Sequence, residues 1–440
     1  MEIGKGREHL LPRRVLKNIK NYIDDEHIIL IVGSRQTGKT SLLHLLMQEL
    51  TQQKISAEQI FYLTLEESAA LEVCNRSVSE FANYLKGLGA DLTKRNYVFI
   101  DEIQYVDDPT HFLKFIFDTH PSIKLFVTGS STLEIRRKFK DSLAGRKVVF
   151  ELAPLDFSEF LLFNEEKKLA ELVEQYSLRQ IVARGTIADF PLRPFQEKLL
   201  EYYARFVLFG GYPRIVREPV VEKKIAFLDE LAQAYVRKDI KDLMRIDNVQ
   251  GFNNLLKLLA LQIGNLFNLT EMAKSLQRSR ETVERYLTLL ENTFIIKRVL
   301  PFFSNRQKEV VKMPKLFFLD TGLRNALLKS FQNLSLRADA GALVENAVFS
   351  NLHKNSPLLE EIHFWRTQSQ NEVDFVLQQN DRVIPIEVKF RPLHNLSFPT
   401  GLRAFIKEYN CDSSVVLVQD VAEMSNAEGH NTMFLPIWTA

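Results

Sequence analysis

Gly33, Ser34, Arg35, Gln36, Thr37, Gly38, Lys39 and Thr40 follow one another in the order that cradles a polyphosphate. The glycines let main-chain N–H groups turn toward anionic oxygens, a lysine at this position reaches the outer phosphates, and the threonine hydroxyl ligates Mg²⁺. The apolar run Ile28–Val32 before the loop reads as a buried strand, and Ser41–Leu50 after it as a helix whose N-terminus adds its dipole. The loop through Ser41 is therefore the candidate nucleotide contact. A second pattern supplies acids. The apolar run beginning at Tyr97 ends in Asp101 and Glu102, of which Asp101 would hold the Mg²⁺ through water and Glu102 would activate an attacking water. Adjacent acids also occur at any solvated strand end, but following a phosphate loop they favour the metal-and-base reading. No guanine-reading Asn-Lys-x-Asp motif occurs, so the expected cofactors are ATP and Mg²⁺.

The elements that must position these residues are legible as a pattern. Apolar runs at Ile28–Val32, Ile60–Leu65, Tyr97–Asp101, Lys124–Thr128 and Lys147–Leu152 alternate with helical periodicity. That alternation predicts an α/β domain over residues 1–152, with a parallel sheet covered on both faces. Thr128, Gly129, Ser130 and Ser131 end the fourth run. Thr128 or Ser130 would sense a γ-phosphate, or the stretch is a loop start rich in turn formers, and the two readings stand level. Residues 153–240 are helical in pattern, as in Glu165–Tyr176 and Arg193–Leu208, and form a candidate lid. They break at Gly210, Gly211, Tyr212 and Pro213, an irregular turn that either presses Tyr212 or Pro213 on a flat base or joins two helices.

The 440 residues are too many for one typical core, and 45% apolar with 25% charged residues is ordinary for a globular protein. A net charge of +2 carries no global nucleic-acid signature, so any basic surface is local. Cys74 and Cys411 form neither a zinc pattern nor a disulfide framework, which suits a reducing cytoplasm. Met1–Lys20 lacks the apolar stretch of a secretory signal, and no run of apolar residues is long enough to span a membrane.

Residues 241–314 carry a helix start at Asn268 and Thr270, a turn at Arg278, Ser279 and Arg280, an amphipathic helix Glu281–Asn292 and a β-like stretch Phe294–Leu300. This is the order of a winged helix-turn-helix, whose second helix would place Arg278, Arg280 and Arg285 in a major groove. The same module also serves as a structural or protein-binding element. From residue 315 a further α/β domain is expected, with Lys315–Leu319, Asp320 and Gly322 at its start and strands near Ile362–Arg366, Glu372–Gln378, Val383–Phe390 and Ser414–Gln419. A two-residue loop at Asn380 and Asp381 places Asp374 opposite Glu387. Opposed carboxylates repel unless something neutralises them, and a divalent cation would. Lys389 shares the face of Glu387 and would stabilise a pentavalent phosphate. Glu345, on the predicted helix Gly341–His353, would add an acid. These residues have the constellation of the PD-(D/E)xK nucleases. The plain alternative is a charged hairpin face, and a loop shifted by one residue would turn Asp374 to the wrong side.

Taken together, the motifs resemble prokaryotic AAA-type ATPases near the STAND and archaeal ATPase branch, with a C-terminal restriction-endonuclease-like domain over residues 315–440. The resemblance rests on Gly33 to Thr40, Phe99 to Gln104, Val127 to Ser131, Ser142 to Arg146, Gly210 to Pro213, Lys315 to Gly322, Glu345 with Asn346, Val373 to Phe375 and Ile386 to Lys389. It implies that Arg146 acts as an arginine finger across a homo-oligomer interface and that Tyr212 and Pro213 contact adenine. The winged helix-turn-helix pattern and the nuclease-like constellation point to a nucleic-acid partner, DNA before RNA. Two functions follow: an ATP-regulated DNA-processing enzyme cutting with Asp374, Glu387 and Lys389, or a signalling or scaffold ATPase whose last domain only binds.

Overall fold

The computed structural model describes residues 10–130, 143–187, 190–235, 249–303, 312–390, 398–409, 411–419, 421–427 and 430–440. The chain forms two compact units, Met1–Ala153 with Asn292–Phe294, and Pro154–Glu291 with Ile295–Ala440.

In the first unit the expected strands form: β1 (Ile28–Gly33), β2 (Ile60–Thr64), β3 (Asn96–Asp101), β4 (Ile123–Ser130) and β5 (Lys147–Glu151). All are parallel, in the order β2-β3-β4-β1-β5. Every residue of β1 and β3 is buried, which is why those segments read as unbroken apolar runs. Helix Lys39–Gln52 buries Leu42, Leu43, Leu46, Met47 and Leu50 at helical spacing against the sheet. Phe99 and Phe126 stack across β3 and β4 at 4.6 Å. β1 is thus central and firmly bedded, and its C-terminal end delivers the phosphate loop.

In the second unit, packing crosses the expected boundaries. Helices Gln196–Phe209, Val221–Ala234 and Val249–Leu261 all pack against helix Thr321–Leu328, across the expected boundaries at 240 and 314. Strand β7 (Lys315–Phe318), expected to open the last domain, pairs antiparallel with β6 (Ile296–Val299), within the expected 241–314 module. On the other side of β7, Asn346 of helix Ala340–Lys354 donates to the Phe318 carbonyl (2.7 Å) and accepts from the Phe318 N–H (2.9 Å). One amide side chain thus does the work of a neighbouring strand at a buried edge.

A mixed sheet follows, built from β8 (Glu360–Arg366), β9 (Glu372–Gln379), β10 (Arg382–Lys389), β11 (Ser413–Val418), β12 (Glu423–Ala427) and β13 (His430–Pro436), in the order β12-β13-β11-β10-β9-β8. Sequence pattern locates β8 to β11, whereas β12 and β13 carry too little apolar alternation to stand out. Phe349 of helix Ala340–Lys354 packs between Phe317 and Phe375, while Phe405 of helix Thr400–Tyr409 packs on Trp365. Among the described residues, no helix is long and apolar enough to cross a membrane.

Candidate functional site

The phosphate loop leaves β1 at Gly33, where an added Cβ would stand 2.3 Å from the Leu152 carbonyl oxygen. Only a residue without a side chain fits there. Gly38 (φ 95°) and Gln36 (φ 60°) adopt left-handed geometry and bend the loop back onto the helix that starts at Lys39. Lys39 is buried, and its ammonium donates to the carbonyls of Gly33 (3.1 Å) and Ser34 (3.0 Å). The Thr37 hydroxyl donates to the Ser34 carbonyl at 2.9 Å. From behind, the buried Arg13 donates to the carbonyls of Thr37 (2.8 Å) and Ala153 (2.7 Å), pinning the loop to the end of the unit. No spacing rule marks Arg13 in the sequence. Among the described residues, the buried Ser34 hydroxyl has no hydrogen-bond partner. A buried polar atom left so is costly, and an anionic oxygen in the loop would satisfy it. The residues present fit a bound nucleotide phosphate on that ground.

The acids converge on the same end of the sheet. Thr40 donates to Asp101 Oδ2 at 2.7 Å, and the Tyr62 hydroxyl donates to the same oxygen at 3.0 Å. β4 lies between β1 and β3, so Thr128 stands between the loop strand and the acid strand. Its hydroxyl donates to Asp101 Oδ1 and accepts the Glu102 N–H at 3.1 Å. Thr128 is fully buried and holds both acids. Glu102 itself is held at φ 62°, ψ 51°, a left-handed conformation costing a glutamate about 1 kcal/mol or more, and Gln104 donates to its carboxylate. Such strain persists where the surroundings over-determine it, here through Thr128. Ser130 ends β4 with its side chain outside the described residues, as is Ser131.

Arg146 and Tyr212 each have a side-chain partner within their own unit. Arg146 lies at the start of the sheet: its carbonyl accepts the Ile28 N–H, and β1 then runs its whole length, roughly 3.3 Å per residue, before reaching the loop. Its guanidinium pairs with Asp118 at 2.7 Å. Tyr212 is buried, with its hydroxyl 3.1 Å from that of Tyr235, and Pro213 takes the first turn of helix Pro213–Arg217, where its missing N–H costs nothing. The turn they belong to receives Asp320. The Gly211 N–H donates to Asp320 Oδ2 at 2.7 Å, and the Leu323 N–H donates to Oδ1 at 2.9 Å. Gly322 closes the joint, since a Cβ on it would stand 2.1 Å from the Phe209 carbonyl oxygen. The two motifs at 210–213 and 320–322 are halves of one packed contact.

In the last sheet the hairpin register is as expected. Arg382 pairs with Gln379 and Ile386 with Phe375, and Asn380 takes the left-handed turn position at φ 54°. One residue beyond the last rung, Asp374 Oδ2 accepts the Val388 N–H at 2.8 Å. Lys389 donates to Glu387 Oε1 at 2.5 Å, while Glu387 Oε2 is buried without a hydrogen-bond partner. Burial, with Asp374 alongside, pushes the Glu387 carboxyl up to about 7, and burial raises Asp374 as well. Glu345 does not join them as a third ligand. Its Oε1 takes Lys315 at 3.2 Å, and burial lifts its carboxyl to about 8 despite that lysine. Lys315 also meets Glu372 Oε1 at 2.6 Å, and Arg366 meets Glu372 Oε2 at 3.0 Å. Burial alone would lower the Lys315 ammonium, but Glu345, Glu372 and Asp374 together hold it above the usual lysine range. Among the described residues no group of three or more acids, histidines or cysteines is arranged to hold a metal ion. Glu345, Asp374 and Glu387 each meet a lysine or a main-chain N–H.

In the stretch of chain between these residues, Asn268 caps helix Leu269–Ser275 and Ser279 accepts the Thr282 N–H at 3.1 Å at the head of helix Arg280–Asn292. That helix buries Val283, Tyr286, Leu287, Leu289 and Leu290. Glu284 and Glu291 bind Arg298 of β6 at 2.5 and 2.6 Å. Arg278, Arg280 and Arg285 are all exposed. A cavity of about 450 Å³, lined by Asn254, Lys257, Leu258, Ser275, Leu276 and Gln277, opens beside the turn.

With this geometry in view, three stretches match family models: residues 25–161 an AAA domain, residues 200–334 a domain of unknown function (DUF8612), and residues 340–439 another (DUF4143). Two relatives extend along most of the chain. An uncharacterized protein of Haemophilus influenzae is 23% identical over 434 residues, 96% of each chain. One of Methanocaldococcus jannaschii is 26% identical over 384 residues, 86% of this chain and 77% of that one. Among solved structures, the Walker-type ATPase of Pyrococcus abyssi is 16% identical with a TM-score of 0.44, covering 71% of this chain and 94% of its own. Residues 25–161 are thus similar to an AAA domain, with a P-loop ATPase-like parallel sheet, and are followed by two stretches similar to families of unknown function.

Proposed function

We propose that this chain hydrolyses ATP with Mg²⁺ at the loop of residues 33–41. The observation that carries the reading is the Thr40 hydroxyl 2.7 Å from Asp101 Oδ2, with Glu102 next in the chain and locked by Thr128. Thr40 and Asp101 would hold the metal, which neutralises phosphate charge and shares its oxygen shell with phosphates and water. Lys39 would exchange its carbonyl partners for the outer phosphates, and Ser34 would donate to one of them. Glu102 would orient and deprotonate the attacking water. Lys39→Ala is the direct test: nucleotide binding and ATP turnover should both fall at least about 100-fold, since positioning and charge neutralisation do most of the work in phosphoryl transfer. Turnover undiminished in that variant would remove this loop from the reaction.

Nucleic acid, DNA before RNA, is the partner that residues 249–318 support. We read the helix, turn, helix and β6–β7 ladder as a winged helix whose exposed Arg278, Arg280 and Arg285 face a groove. The double variant R280E/R285E should weaken duplex binding about tenfold or more, with a salt dependence shallower by about two units, as followed by fluorescence anisotropy. Unchanged affinity and slope would leave the module a structural element. For the last sheet, the Lys315 partner of Glu345 and Glu372 favours the second reading: a signalling or scaffold ATPase whose C-terminal region binds without cutting.

A further inference from the structure

We propose that Lys315 is a built-in counter-ion that neutralises Glu345 and Glu372 beside the Asp374–Glu387 pair, so that this region is complete without metal. The inference rests on the non-cutting reading above and goes further by naming the group responsible.

Four acids, Glu345, Glu372, Asp374 and Glu387, come together from helix Ala340–Lys354, β9 and β10. Left alone they would repel one another in a buried setting, and buried charge must be compensated. Lys315 enters from β7, with a side chain only 3% exposed, and touches Glu345 and Glu372 directly. Its ammonium also lies 5.4 Å from the centre of the Phe364 ring, so it is enclosed by two acids and an aromatic face. Gly264 shuts the remaining side: its N–H donates to the Leu316 carbonyl, and a Cβ on it would stand 3.4 Å from both Glu345 oxygens. A small divalent cation keeps several waters but still needs one or two carboxylates facing it. Here Glu345 and Glu372 are spent on an ammonium and Asp374 on the Val388 N–H, while Glu387 takes a second lysine. No three-ligand group is left among the described residues.

The test is thermal denaturation and calorimetric Mn²⁺ titration of the full chain, without nucleotide, at pH 7.5. The wild type should gain no stability from millimolar Mn²⁺ through this site, and its Mn²⁺ response should be the same in Asp374→Asn and Glu387→Gln. Lys315→Met should lower the Tm of the second unit by about 10 °C, because removing one partner leaves buried carboxylates unpaired. Mn²⁺ should then restore part of that loss, and Lys315→Arg should keep the wild-type behaviour. A Mn²⁺-dependent rise in wild-type Tm that Asp374→Asn and Glu387→Gln remove would overturn the proposal, whether or not Lys315→Met folds. DNA cleavage assayed alongside separates the two levels. Mn²⁺ binding at this site without cleavage defeats only the counter-ion. Mn²⁺-dependent cleavage that Glu387→Gln abolishes defeats the non-cutting reading itself.

Discussion

Glu102→Gln should bind ATP as tightly as the wild type and turn it over at least about 100-fold more slowly, the span that loss of a general base commonly costs. The substitution keeps shape and hydrogen-bonding capacity but removes the negative charge that takes the water's proton. Its surroundings make the expectation sharp. The Glu102 N–H is tied to the Thr128 hydroxyl and its carboxylate accepts from Gln104, so glutamine has a ready-made seat. Lys39, Ser34 and the Thr40–Asp101 pair lie on other elements and are untouched. Binding by titration with a fluorescent nucleotide and turnover by phosphate release separate the two effects. Turnover within threefold of wild type would mean that the base lies elsewhere, and Glu102 would then owe its left-handed backbone to the turn alone.

Gly210→Ala should cost about 3–5 kcal/mol of stability in the second unit, measured by urea denaturation. Gly210 sits at φ 72°, ψ −165°, a region that side-chain-bearing residues avoid, and an added Cβ would stand 2.1 Å from Asp320 Oδ1 and 2.5 Å from Oδ2. Asp320 has nowhere to go. It caps helix Thr321–Leu328 through the Leu323 N–H and holds the Gly211 N–H, and burial already pushes its carboxyl upward. Gly185 provides the comparison: it has a similar φ of 71°, but an added Cβ there would meet nothing within 4 Å. Gly185→Ala should therefore cost only about 1–2 kcal/mol, the penalty of left-handed backbone alone. Equal losses at the two positions would show that the contact with Asp320 contributes nothing.

Much of the chemistry is readable in the sequence because its determinants are local. The phosphate loop, the strand ending in Asp101 and Glu102, and the turn at Asn380 and Asp381 each need only a few consecutive residues of the right type, and their backbone geometry follows from those residues. The period-2 register then carries Asp374 to the neighbourhood of Glu387 without knowledge of the rest of the sheet. What escapes is long-range. Arg13 acts on Thr37 and Ala153, Tyr62 on Asp101, and Lys315 on Glu345 and Glu372, and none of these pairs has a characteristic spacing. Thr128 stands out by its position, but position does not give its role. Whether a hydroxyl at a strand end faces ligand or protein depends on the neighbouring strand, and here that strand ends in Asp101 with Glu102 next. The glycines at 210 and 211 signal an irregular turn correctly. Their partner, Asp320, falls in a different domain on the sequence pattern, which leaves the turn with an open face until the fold closes it.

That joint also sets a clock on synthesis. The Gly211 N–H and its acceptor Asp320 are 109 residues apart. At about 5–20 residues per second, roughly 5 to 20 s pass on the ribosome between the appearance of the turn and that of its partner. During that interval the apolar faces of helices Gln196–Phe209 and Val221–Ala234 lack the Thr321–Leu328 helix that covers them. The first unit, whose sheet is complete by Glu151, can fold while the rest is still being made. Nascent chains halted between residues 235 and 320 should therefore carry a folded nucleotide domain and a sticky, chaperone-dependent helical segment.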